Sequence, residues 1–133
     1  MRVDFYETGT RNQDPLEVVC VLVGKAWPAN RSIAVVGPRQ RLAELDEQLW
    51  HKPQGRFVPH ELNGTTAPVR LVESAPEAAD LLINLDPRAP LPEGRYGRVL
   101  EIVPPDESAR KLLRKRWLAW KERGADLHHH QLK

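Results

Sequence analysis

Asp14-Pro15-Leu16-Glu17-Val18-Val19-Cys20-Val21-Leu22-Val23 carries two opposed signals. Its first four residues spell a helix start: an aspartate to cap, a proline at the first helical position, and a glutamate to reach back. The six that follow are mostly β-branched and favour a strand. The start signal is the more specific of the two, and Pro28 supplies a stop, so the segment is read as a helix. On that reading the chain opens as strand, helix, strand, with Arg2 to Glu7 before the helix and Ser32 to Val36 after it.

The rest of the chain continues the alternation. Gly37-Pro38 closes the second strand, and Leu42, Leu45 and Leu49 then fall on one face of a helix from Gln40 to Trp50, with Pro53 beyond its end. Phe57 to His60, Val69 to Val72, Asp80 to Leu85 and Arg98 to Val103 read as strands, the last two separated by the proline-rich loop Asp86 to Gly94. After Pro104-Pro105 a final helix runs from Asp106 to Arg123 and stops at Gly124. Such an order predicts an α/β chain: a single-domain, Rossmann-like layered fold whose sheet is mostly parallel or mixed and is flanked by helices. Residues 1–133 form that one domain, with 124–133 as a frayed, solvated tail.

Length and composition agree with one domain, since 133 residues can bury one proper core. The single cysteine, Cys20, allows no intramolecular disulfide and favours an intracellular compartment. The N-terminus has no apolar stretch behind its charge, and the longest apolar run, Val18 to Val23, is too short to span a bilayer. A cytoplasmic location is therefore expected. Charge is unevenly spread. Asp106 to Arg123 holds seven basic against three acidic residues, a net +4, so with +2 overall the remainder carries −2. A near-neutral body with one basic element points to a local anion site more than to a general nucleic-acid surface.

Catalytic and cofactor patterns are missing. No strand is followed by GxGxxG, no GxxxxGK[ST] occurs, and Gly37 is followed by a proline whose missing N–H weakens a phosphate cradle. Cys20 sits in an apolar run as a buried, inert thiol. No nucleophile-elbow pattern arranges Ser, His and Asp, and His60 and Glu61, adjacent on a strand, point to opposite faces. His128, His129 and His130 have no partner at metal-ligand spacing. No catalytic residue, metal or cofactor is expected, and the chain reads as a binding subunit that is not itself an enzyme.

Two constellations remain. At about 100° per residue, Ala109, Leu112, Leu113, Ala119 and Trp120 share the core face of the last helix. Arg110, Arg114 and Lys121 form a narrow stripe at its border, with Trp117 between stripe and core. Apolar surface rimmed by guanidinium groups suits a ligand with an aromatic or aliphatic end and a carboxylate. Arg116 projects into the apolar face and must snorkel or find an acid, while Leu118 projects outward as an interface residue would. The second constellation is Leu49-Trp50-His51-Lys52-Pro53 with Phe57-Val58-Pro59-His60, a candidate aromatic hot spot.

Together these stretches resemble a known family. Leu45-Asp46-Glu47-Gln48-Leu49-Trp50, then Pro53, then Phe57-Val58-Pro59-His60, is similar to the central motif of the chi subunits of bacterial DNA polymerase III holoenzyme. Val103-Pro104-Pro105-Asp106-Glu107-Ser108-Ala109-Arg110, continuing through Arg114, Arg116, Trp117 and Trp120 to Gly124, resembles that family's last strand and helix, and Asp4-Phe5-Tyr6 also fits. The resemblance implies a non-catalytic accessory subunit of the clamp-loader assembly whose C-terminal helix region binds the acidic, Phe-ending tail of single-stranded-DNA-binding protein. Carried over, that site would use Val103, Arg110, Arg114 and Trp117, with Lys121 on the same stripe. Arg110 stands where a lysine is familiar, Trp117 where a tyrosine is, and Leu118 replaces a basic residue. Leu49, Trp50, Pro53 and Phe57 match the family surface that meets the psi subunit. Ser74 to Arg98 departs most, its proline-rich loop standing where the family often has a helical segment. The rival expectation is direct binding of single-stranded nucleic acid by the basic helix, against which stand the weak overall charge and the lack of a strand-borne stacking platform.

Overall fold

Pro15–Ala26 is a helix, α1, and its apolar run divides as a helix divides it: Leu16, Val19, Cys20 and Val23 are buried while Val21 faces solvent. The computed structural model describes residues 1–8, 15–27, 32–51, 59–63 and 67–132. Asp14 and Pro28, the cap and stop read from the sequence, lie outside the described residues. So do Pro53 and Phe57. The other elements are β1 (Arg2–Thr8), β2 (Ile33–Val36), α2 (Arg39–His51), β3 (His60–Leu62), β4 (Val69–Val72), β5 (Ala78–Asn84), β6 (Arg95–Val103), α3 (Glu107–Glu122) and β7 (Asp126–Leu132).

The seven strands form one sheet in the order β3-β4-β2-β5-β6-β1-β7, and each ladder among the described strands is parallel. Strand alternation sorts the core into two layers. Ile33, Val35, Leu81, Ile83, Leu100 and Ile102 pack with α1 and α2 on one face. Ala34, Val36, Leu82, Val99, Val103, Val3 and Phe5 pack with Leu113 and Trp120 of α3 on the other. Parallel neighbours usually need a long helical crossover. Here β4 reaches β5 through Glu73-Ser74-Ala75-Pro76-Glu77 alone, and the register requires that segment to be almost fully extended.

The proline-rich loop joins β5 to β6, both interior strands, and the edges of the sheet are β3 and β7. The loop is held across α3 by side chains, with Arg116 donating to the Ala89 carbonyl and Arg123 to the Pro92 carbonyl at 2.7 Å. Residues 126–132, read as a frayed tail, are instead an edge strand in register with β1 from Arg2↔Asp126 to Thr8↔Leu132. The helix terminus explains this. Gly124, at φ +80°, donates to the Lys121 carbonyl and Ala125 to that of Trp120, the paired bonds of a glycine-terminated helix. The reversal delivers Asp126 N–H to the Met1 carbonyl at 2.8 Å, the first bond of the ladder.

Candidate functional site

What fixes α3 on the sheet is polar. Glu101 on β6 is fully buried, and Arg116 reaches it with Nε at 2.9 Å and Nη2 at 2.8 Å. The Trp120 indole N–H donates to the same carboxylate at 2.9 Å, and Asn84 Nδ2 donates to its other oxygen at 2.6 Å. Arg116, which the helical projection left to snorkel or find an acid, has found one in the strand beneath it. Asp106 caps the helix through Ser108 N–H at 3.2 Å.

With its core face pinned, α3 turns Arg110, Arg114, Trp117 and Leu118, spaced i, i+4, i+7 and i+8, toward the β1–β7 side of the sheet. They overhang an open cavity of about 400 Å³. Its floor is apolar, made by Phe5, Val103 and Leu113. Phe5 meets Trp117 edge-on, with ring centroids 5.1 Å apart. Arg114 is exposed at the rim and Leu118 is 60% exposed beside it. Arg110 is half-buried and paired with Glu7 of β1 at 2.9 Å, while its Nε is buried with no acceptor among the described residues. The other Glu7 oxygen meets His129 Nε2 at 2.9 Å, so β7 closes the outer wall.

The structure thus gathers Val103, Arg110, Arg114 and Trp117 around one cavity. Lys121 stays exposed and does not line it, standing a turn farther along α3. Sequence reasoning missed Phe5, Glu7 and His129 as lining residues. Phe5 belongs to a strand next to β6 only in space, and Glu7 looks like any surface acid. His129 was hidden by the reading of its segment as a tail. Alternation on β7 puts His129 on the α3 face, and His128 and His130 on the other, where they meet Asp126 and Asp4.

The second constellation divides differently. Leu49 is buried in the α1–α2 core, whereas Trp50 is 60% exposed at the end of α2. Its ring meets that of His60 edge-on at 5.0 Å, and His60 Nε2 lies 3.1 Å from Asp46. Trp50 and Leu62, 39% exposed on β3, are the large apolar side chains open to solvent at this end of the sheet among the described residues. Cys20 is buried, and no helix among the described residues is long and apolar enough to cross a membrane.

The sequence pattern of the family described as DNA polymerase III chi subunit, HolC, matches residues 1–128. The chain belongs to the chi subunit family of DNA polymerase III. It is 33% identical to the DNA polymerase III subunit chi of Pseudomonas aeruginosa, over 98% of this chain and 96% of that one. The subunits chi of Haemophilus influenzae and Escherichia coli are 27% and 28% identical, each over 84% of this chain and over 83% and 81% of their own lengths. As a chi family member the chain is an accessory subunit in DNA replication, with protein partners in the polymerase assembly. The Trp50 surface lies inside the matched region, and so does every lining residue of the α3 cavity except His129.

Proposed function

We propose that the α3 cavity docks the acidic, Phe-ending C-terminal tail of single-stranded-DNA-binding protein and so tethers the clamp loader to coated single-stranded template. One observation carries this reading: apolar Phe5, Val103 and Leu113 line the same cavity as Arg110 and Arg114. A terminal phenyl ring would bury against Phe5 and Trp117, contributing about 1.5–3 kcal/mol. Ligand carboxylates would pair with the arginines, each charge-assisted bond adding about 1.5–3 kcal/mol. Together they come to about 4.5–9 kcal/mol, the range in which a micromolar complex falls, about −8 kcal/mol. Many such weak, exchangeable contacts along a coated strand hold the assembly in place while leaving each one free to release.

The test is a fluorescence-anisotropy titration with a labelled peptide copying the tail, alongside one lacking the terminal Phe. Saturable micromolar binding that needs the Phe, and that weakens about tenfold in Arg114→Ala, roughly 1.4 kcal/mol, is the expected result. Unchanged affinity in Arg114→Ala refutes the assignment. Tight binding of bare single-stranded oligonucleotide with a steep salt dependence would favour direct nucleic-acid contact by the basic helix instead.

The exposed Trp50 supports a second docking surface for the psi subunit, at the opposite edge of the sheet from the cavity. Trp50→Ala is expected to spare tail binding while abolishing capture of psi in a pull-down of the two purified subunits. Loss of both would mean that the indole serves the fold.

A further inference from the structure

Glu7 is an acid inside a site built for acids. Its two carboxylate oxygens are both engaged, one by Arg110 Nη2 and one by His129 Nε2, each at 2.9 Å. Among the described residues the cavity it lines otherwise offers only Arg110 and Arg114 as full charges. Arg110 also keeps a buried Nε–H with no acceptor among the described residues, so Glu7 satisfies that guanidinium only in part. We propose that Glu7 is an internal competitor for Arg110, and that His129 regulates the competition, so that together they set the affinity and the pH response of the cavity toward an acidic peptide. The inference rests on the α3 cavity being the docking site.

The competition is electrostatic. An incoming carboxylate must displace the Glu7 oxygen from Arg110 or bind beside a like charge, and either lowers its affinity. Protonation of His129 reverses the balance. The imidazolium would pair with Glu7 and offset its charge, leaving Arg110 free to turn toward the ligand. Among the described residues, the charged groups facing His129 across the cavity are Glu7 from β1 and Arg110 and Arg114 from α3, so the added proton also raises the positive potential that the ligand meets. Peptide carboxylates stay ionised throughout the range in which imidazoles titrate. Binding should therefore tighten as pH falls from 8 to 6. Sequence gave no hint of this pairing, because Glu7 and His129 come from opposite ends of the chain and meet only through the parallel β1–β7 ladder.

The experiment titrates a labelled peptide of four aspartates ending in a free-acid phenylalanine into the full-length protein at pH 6, 7 and 8. It compares wild type with Glu7→Gln, His129→Gln and Arg114→Ala, each first checked for an unchanged melting temperature. Glu7→Gln should tighten binding about three- to tenfold at pH 8. Wild type should bind at least threefold tighter at pH 6 than at pH 8, and His129→Gln, a change at an exposed edge-strand position, should flatten that profile. If Arg114→Ala weakens binding but Glu7→Gln binds no tighter than wild type, Glu7 is not a competitor and the inference fails alone. A wild-type pH response that survives His129→Gln overturns the role of His129. Binding indifferent to Arg114→Ala removes the docking site, and the inference with it.

Discussion

Arg116→Met removes the cation from a buried ion pair while keeping most of the apolar bulk of the side chain, so the loss it causes is chiefly electrostatic. Glu101, with no solvent exposure, would lose both of its bonds from Arg116 and retain those from Asn84 and Trp120. Breaking a buried pair from one side costs about 3–5 kcal/mol, and the two surviving donors argue for the lower half, about 3–4 kcal/mol. For a chain of this size that lowers the melting temperature by roughly 10–15 °C. The Ala89 carbonyl also loses its donor, so the proline-rich loop should loosen over α3. Urea unfolding followed by tryptophan fluorescence reads the loss directly. The double variant Arg116→Met/Glu101→Gln removes both charges and should recover at least half of it, so the interaction energy in a double-mutant cycle is about 2 kcal/mol plus whatever Glu101→Gln costs alone. The deficit of the single variant should also shrink as pH falls, because protonation neutralises the stranded carboxylate. A single variant within about 1 kcal/mol of wild type, or a strictly additive cycle, would refute the view that this pair anchors α3.

Two further outcomes test the fold around the site. Gly124→Ala places a Cβ at φ +80° in open space, so it adds backbone strain without a clash, about 1–2 kcal/mol by thermal unfolding; Gly124→Asn should recover part of the loss, since Asn tolerates that conformation. Asp4 is fully buried between Arg2 and Arg98, and although burial alone would lift its carboxyl, hydrogen bonds from the two arginines outweigh this and hold it below the usual range. A carboxyl lowered in the native state contributes stability that is complete above the unfolded value, near pH 4, and is lost as pH falls through the native one. Asp4→Asn should therefore be less stable than wild type at pH 7, and its stability should fall less steeply below pH 4, as measured by urea midpoints across the acid range.

Much of the α3 side of the cavity was legible because a helix is a local object. The border stripe of Arg110 and Arg114, the intermediate position of Trp117 and the need of Arg116 for an acid all follow from 100° steps along one continuous segment. The Asp106 cap and the Gly124 stop fixed its length to within a residue at each end. Lys121 shares the stripe but does not line the cavity, for a related reason. A helical wheel shows which residues share a stripe but discards distance along the axis, and seven residues beyond Arg114 is about 10 Å farther on. The last strand was missed because His128-His129-His130 has none of the β-branched residues that mark strands. It is held by its ladder to β1, not by its own propensity.

The sequence by itself determined the succession of strands and helices as far as α3, the helical state of Pro15 to Ala26, the family, and the basic, tryptophan-bearing face of α3. Each of these is encoded in neighbours a few residues apart, through caps, turns and periodicity. Tertiary structure alone decided the strand order, the choice of Glu101 as the acid for Arg116, and the meeting of Phe5, Glu7 and His129 beneath Arg110. Those depend on which strands lie side by side. Strand pairing is set by non-local hydrogen bonds and by burial of two opposed sheet faces, which no local pattern in the chain records.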